Sequence, residues 1–238
     1  MSDQEDKKKQ QLNLDDYKNK LNFNDKEKVG KALNLALDTR KFEIDLYWKR
    51  ATYFWTFIAT TFGGYGFLAF KINGSSDNNL WLLLIVSCLG FIFSVAWYLV
   101  NRGSKFWQNN WEIQVALLED EVIGSLYKII AESATEDKKY LKHFLTAPAA
   151  YSVSKINQIL SVFISFFWML LICNNIYLIF LTPSKIGLFE IIILLITFGA
   201  FYCLLRYGKS ENYKAKIILS ENSIEVIVPE KPNSETGN

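Results

Sequence analysis

The chain has 238 residues, 50% of them hydrophobic, and its 26 basic and 24 acidic side chains give a net charge of +2. This balance excludes a strongly basic nucleic-acid binder and a surface dominated by acids. Charged residues are concentrated in 1–50, 102–155 and 206–238, and uncharged apolar stretches separate them. Such segregation is typical of a protein that crosses a membrane several times.

The chain lacks the sequence patterns of an enzyme or a metal protein. Cys88, Cys173 and Cys203 lie in apolar stretches without CxxC or Cys/His spacing, which disfavours disulfides and zinc. His143 is the only histidine, and there is no GxSxG, HExxH or Walker pattern. The consecutive acids at 119–121 are expected to form a solvated face rather than a divalent-cation site. We therefore expect no catalytic residue, no metal and no cofactor.

The N-terminal part is predicted to be cytoplasmic. Residues 1–23 alternate acids and lysines and have no apolar core of a signal peptide, so we expect a disordered tail. A helix is predicted over 24–50 because Asn24 is a suitable N-cap, with Glu27 at the third helical position. Its apolar face, which begins at Val29, is expected to pack against other cytoplasmic segments of the protein.

Four apolar stretches predict four transmembrane helices. Leu80 to Val100 is the clearest, because at about 1.5 Å rise per residue it spans the roughly 30 Å hydrocarbon layer. The other three stretches are 51–70, 159–181 and 186–205. The predicted fold class is an all-α membrane protein with two transmembrane hairpins, one within 51–100 and one within 156–205.

The basic residues beside these stretches predict the orientation. Lysines and arginines precede and follow each hairpin, whereas the two short loops within the hairpins contain only Lys71 and Lys185. The positive-inside rule then places both termini and the segment 101–155 in the cytoplasm, with the spans in a bacterial inner membrane.

A cytoplasmic segment follows each hairpin. In 101–155, apolar residues at helical spacing predict a helix from Arg102 to about Ala131, with Gly103 as a bending point. A short helix, KYLKHFLTAP, is expected before the third span. The C-terminal segment 206–238 contains two β-branched runs, which predict a small β-hairpin or an oligomer-forming tail.

Polar side chains inside the spans form the first candidate site. Asn174, Asn175 and Glu190 come to similar levels when the third and fourth spans fold about the turn at 182–185. In a homo-oligomer they would form a ring of amides and carboxylates, the arrangement that concentrates cations at channel mouths. The alternative is interhelical hydrogen bonding that only holds the helices together.

The second candidate site lies just beyond the second span. Arg102, Lys105, Trp107 and Trp111 combine basic and aromatic side chains, which suit contact with a nucleotide or a partner protein. An interfacial belt of tryptophan and arginine explains the same residues. Under the first interpretation, binding here moves the second span and opens a path past Glu190 and the two asparagines.

Three strings near the predicted membrane boundaries carry a family resemblance. YWKRATYFW, NRGSKFWQNNWE and YSVSKINQILSVF resemble segments of small bacterial four-span membrane proteins. Such proteins are similar to the membrane effectors of anti-phage defence operons, including the Hailong channel subunit. The resemblance implies a homo-oligomeric ion channel gated from the cytoplasm by a partner enzyme or a nucleotide signal. The alternatives are a non-conducting membrane anchor that recruits a soluble enzyme and a small transporter subunit.

Overall fold

The computed structural model describes residues 10–12, 14–73, 80–130, 149–181, 187–209 and 215–217. These residues are predominantly helical, as the sequence predicts. The elements in chain order are strand β1 (Gln10–Leu12), helices α1 (Leu14–Leu21), α2 (Lys26–Asn73) and α3 (Leu80–Leu118), a 3-10 turn (Glu119–Glu121), helices α4 (Val153–Leu181) and α5 (Leu188–Tyr207), and strand β2 (Ala215–Ile217). The expected helix KYLKHFLTAP lies outside the described residues.

Two of the helices are longer than a membrane span. The expected cytoplasmic helix and the first expected span form one continuous helix, α2, because no proline interrupts this part of the sequence. Helix α3 continues through Gly103 without a break and ends at Leu118, earlier than expected. Beyond the 3-10 turn, Gly124 has a φ of 79°, a left-handed conformation that glycine adopts at little cost and that redirects the chain.

Three of the described helices are long and apolar enough to cross a membrane, judged by length and composition. They are the segment that starts at Leu80 and helices α4 and α5. The first predicted span, 51–70, is not among them. Its four threonines and three glycines make it the least apolar of the four stretches.

The chain divides into two compact units. The first contains residues 1–40, 110–138 and 211–238, and the second contains 41–109 and 139–210. In the first unit, Val29, Leu33 and Ala36 of α2 form a buried core with Val115 and Leu118 of α3. The apolar face predicted for the start of α2 therefore packs against the protein's own helix, as expected.

The N-terminal segment contains structure where disorder was expected. Helix α1 lies in this segment, and the buried Tyr17 hydroxyl donates a hydrogen bond to Oε1 of Gln114. Burial of Tyr17 raises its pKa to about 12. Strand β1 pairs in parallel with β2, with Gln10 opposite Ala215. The described part of the C-terminal segment thus pairs with the N-terminal strand, and the remainder of the expected hairpin lies outside the described residues.

In the second unit, helices α2, α3 and α4 pack against one another. Leu84, Cys88 and Ile179 form a buried apolar cluster between α3 and α4. Trp168 of α4 is fully buried and stacks on Phe62 of α2, with ring centroids 4.3 Å apart. A side chain at Gly90 of α3 would overlap the Trp168 indole, so this glycine permits the close approach of the two helices.

Candidate functional site

A seam of buried polar side chains runs along α3 and α4 in the second unit. Four of the buried polar residues of α3 recur at seven-residue spacing, and on α4 three buried polar residues and Trp168 share the same spacing. Seven-residue spacing keeps side chains on one face of packed helices. The α3 members are Ser87, Ser94, Asn101 and Gln108, and the α4 members are Ser154, Ser161, Trp168 and Asn175.

Asn175 joins three helices through one side chain. Its Nδ2 donates to the Ser87 hydroxyl on α3 at 3.2 Å, and its Oδ1 accepts from the Tyr65 hydroxyl on α2 at 3.1 Å. Ser87 in turn donates to the Leu84 carbonyl at 2.9 Å. Because unpaired polar groups are costly in hydrocarbon, this satisfied network stabilises the packing of the helices. For Asn175, this geometry favours interhelical hydrogen bonding over a place in a ring at a channel mouth.

Among the described residues, no hydrogen bond joins Asn174, Asn175 and Glu190. Asn174 is exposed, on a different face of α4 from the buried Asn175. Glu190 lies in the first turn of α5, and its Oε2 is 2.8 Å from the position that a Cβ at Gly187 would occupy. A carboxylate there is favoured by the helix dipole. Among the described residues, Glu190 is not a hydrogen-bond partner of Asn175.

A second polar group, which is not among the predicted sites, lies toward the basic ends of the same helices. Nδ2 of Asn157 donates to the Tyr47 hydroxyl at 2.6 Å. Nη1 of Arg50 donates to the Ser104 hydroxyl at 2.9 Å and lies 4.0 Å from the Glu43 carboxylate. Ser104 and Asn157 lie outside the seven-residue repeats of α3 and α4, so those repeats do not indicate this second group.

The four residues of the second predicted site lie on different faces of α3. The Arg102 guanidinium is 5.7 Å from the centroid of the Tyr98 ring, whereas Trp107 makes an edge contact with Phe106 at 5.3 Å. Trp111 packs against the apolar core of the first unit, and Lys105 is half-buried. With 3.6 residues per turn, the two cations share one side of the helix and the two tryptophans another. They do not form a single pocket along α3.

Glu119 is buried, although the acids at 119–121 were expected to form a solvated face. Its side chain is fully buried, its Oε2 accepts the Tyr127 backbone N–H at 2.7 Å, and its Oε1 has no hydrogen-bond partner. The next acid, Asp120, accepts from Ser125 at 2.8 Å and from Lys128. Burial acts to raise the pKa of Asp120, but these two hydrogen bonds, together with the charges of Lys128 and Lys18, lower the pKa below its usual value.

Part of the outward face of α2 is polar, between Thr52 and Gly63, and the exposed Phe67 and Phe70 continue the same side of the helix. Thr52, Thr56, Thr60 and Gly63 are exposed and share one side of the helix. The Thr52 hydroxyl donates to the Trp48 carbonyl and the Thr56 hydroxyl to the Thr52 carbonyl, both at 3.0 Å. These bonds satisfy the hydroxyl donors and leave oxygen lone pairs on the surface. We call these four residues the threonine face.

Comparisons with known proteins place the chain in a family. No curated protein and no solved structure matched it. A family model described as the octameric membrane protein family (8xMP) matches residues 31–177, which include most of α2, all of α3 and most of α4. Since the match covers more than half of the sequence, this chain belongs to the octameric membrane protein family and is an oligomeric membrane protein.

Proposed function

We propose that this protein forms an oligomeric pore in a bacterial inner membrane, with α2 of each copy lining the axis and the cytoplasmic helices controlling its opening. Family membership and the three apolar helices support the membrane location and the oligomer. The observation that carries the pore proposal is the threonine face of α2.

The packing of α2 against α3 supports four spans. The two helices are linked by a hydrogen bond from Arg50 to Ser104 and by two ring contacts, Trp55 with Trp97 and Phe57 with Phe93. Residue numbers rise on α2 as they fall on α3, so the helices are antiparallel. Because α3 is apolar enough to cross the membrane, the uncharged stretch 51–70 lies alongside it at the same depth. We therefore propose that α2 is the remaining span, which restores two hairpins and places both termini in the cytoplasm.

The chemistry of the exposed helix faces favours α2 as the lining helix. Exposed side chains on α4 and α5 are mostly phenylalanine, leucine and isoleucine, which suit contact with lipid tails. The threonine face offers hydroxyl oxygens and small side chains instead, and these can replace part of the water shell of a passing ion. Since this face has no charge, we expect weak discrimination between small ions.

The resemblance of the juxtamembrane strings supports a role as an anti-phage effector opened by a cytoplasmic partner enzyme or a nucleotide signal. Helix α3 is continuous from its apolar part to Leu118, so it offers a direct mechanical connection to the span. Arg102 and Lys105, on one side of this helix, are the proposed contacts for an acidic signal. Trp107, partly exposed on another side, is a proposed protein contact.

A non-conducting anchor is the second candidate function. The Asn175 network is satisfied within one chain and so provides no polar path for an ion. In the first unit, Ile123, Leu126 and Ile130 are exposed apolar side chains in a polar segment, as in a surface that recruits a soluble protein.

Planar-bilayer recording of the purified oligomer tests the pore proposal. We expect discrete current steps, and we expect Thr56→Phe to reduce them because the phenylalanine side chain, four non-hydrogen atoms larger than that of threonine, would crowd the axis. Ile159→Phe on the exposed side of α4 is the matched control and should leave the currents unchanged. Absence of current from an intact oligomer, with and without cytoplasmic extract from phage-infected cells, would favour the anchor.

A further inference from the structure

An apolar groove lies between α2, α3 and α5 in the second unit. Its volume is about 580 Å³, within the roughly 300–1,000 Å³ range of small-molecule sites. Phe57 of α2, Phe93 and Ala96 of α3, and Ala200 and Cys203 of α5 line it. Phe57 is 49% exposed and Cys203 is also exposed, so the groove opens on the surface that the three helices present to the membrane.

The lining residues share one depth, near the basic ends of their helices. Phe57 follows Arg50 on α2, Ala96 precedes Arg102 on α3, and Cys203 precedes Arg206 on α5, each within about two turns. The groove therefore lies in the leaflet next to these cations, at the level of the upper part of a lipid tail.

Two cations adjoin lining residues of the groove along the chain: Arg206 comes one turn after Cys203, and Lys209 directly follows Gly208, which also lines the groove. Arg206 and Lys209 are both exposed, and the Arg206 guanidinium is 5.9 Å from the centroid of the Tyr207 ring. Within the part of the chain that the structure describes, neither side chain has a carboxylate partner. An apolar groove next to two such cations matches the two parts of an anionic phospholipid, its acyl chain and its phosphate.

We propose that this groove binds one acyl chain of an anionic phospholipid, whose headgroup phosphate contacts Arg206 and Lys209. A second copy of the chain suits the site less well. A helix is about 10 Å across, so a second copy could place only single side chains in a groove of this size. Arg206 and Lys209 would then have no anionic partner. The proposal depends on the membrane location and not on conduction.

Photo-crosslinking of the full-length oligomer tests the charge component. The probes are phosphatidylglycerol and phosphatidylcholine that carry the same photoreactive acyl chain, reconstituted at equal amounts, with labelled peptides identified by mass spectrometry. We expect phosphatidylglycerol to label the 200–204 region preferentially. Arg206→Gln and Lys209→Gln should each lower that preference about fivefold, the effect of one cation beside an anionic surface. Lys71→Gln, at the other end of α2, is the control and should change nothing.

A steric variant tests the groove itself. Ala200→Phe fills the groove and should suppress labelling of 200–204 by both lipids, whereas Leu195→Phe, on another face of α5, should not. Equal labelling by the two lipids in the native protein, or unchanged labelling in Ala200→Phe, would overturn the proposal. The proposal would also be overturned if Ala200→Phe dissociated the oligomer and the two lipids labelled the native protein equally. These results would mean that a second copy of the chain occupies the groove.

Discussion

Asn175 on α4 donates a hydrogen bond to the hydroxyl of Ser87 on α3, and both side chains are completely buried. The same amide accepts a hydrogen bond from Tyr65 on α2, so a single residue connects three helices. Polar contacts of this kind in a membrane fix which helices pack together and at what rotation.

Replacing Asn175 by leucine should destabilise the protein without changing ion selectivity. The change leaves the Ser87 and Tyr65 hydroxyls without their partner, and each lost interhelical bond costs about 0.6–2 kcal/mol. The measurement is the thermal stability of the oligomer in detergent, with Asn174→Leu at the neighbouring exposed position as the control. A selectivity change in Asn175→Leu at unchanged stability would contradict the packing role.

Gly90→Ala should loosen the contact between α3 and α4. The added methyl group overlaps the fully buried Trp168, and overpacking of this kind costs about 1–3 kcal/mol. Gly199→Ala is the matched control because nothing lies within 4 Å of a Cβ there. Thermal unfolding followed by tryptophan fluorescence should show a lower midpoint for Gly90→Ala only. Equal midpoints for the two variants would mean that the helices are not in close contact at Trp168.

Glu190→Gln should lower stability slightly and leave selectivity unchanged. The carboxylate interacts with the N-terminal turn of its own helix, which contributes a few tenths to about 1 kcal/mol. Reversal potentials in a salt gradient measure selectivity, and native and variant oligomers should give the same value. A shift toward anions in the variant would instead place Glu190 in a ring at the channel mouth, as the sequence interpretation proposed.

The turn after α3 should lose stability in acid. The pKa of Asp120 is lower in the folded protein than in the unfolded chain, because Lys128 and Ser125 donate hydrogen bonds to it. Its stabilising contribution is therefore complete above the usual carboxyl pKa and disappears as the pH falls through the lowered value. Proteolysis of the 122–130 segment should speed up in that acidic range, and Asp120→Asn should remove the pH dependence. A variant that keeps the same dependence would show that another group titrates.

The sequence predicted the extent of the apolar helices better than the rotation of residues about them. The apolar stretch that starts at Leu80 appears in the structure as the first part of α3. The levels of Asn175 and Glu190 along their helices were estimated from the turn between them, but the direction of each side chain depends on packing. Asn175 and Ser87 belong to the seven-residue repeats of their helices, and such a repeat marks one face of a helix without showing which helix that face meets.

Local signals failed where tertiary contacts decide the conformation. Residues 14–21 have a polar composition, yet they form α1, with Tyr17 buried and hydrogen-bonded to Gln114 of α3. Consecutive acids suggested a solvated face, but the 3-10 turn at 119–121 directs Glu119 inward to the Tyr127 backbone. In both cases the partner is too far along the sequence, or too irregular in geometry, for periodicity to reveal it.

Cysteine accessibility at Thr56 tests the pore proposal most directly. In an oligomer whose native cysteines are replaced by alanine, Thr56→Cys should react with a membrane-impermeant thiol reagent, and the reaction should reduce the current. Ile159→Cys on the exposed side of α4 should stay unlabelled, because we expect this apolar side to face lipid. An intact, conducting oligomer in which Thr56→Cys does not react, or reacts with no change in current, would contradict the assignment of α2 as the lining helix.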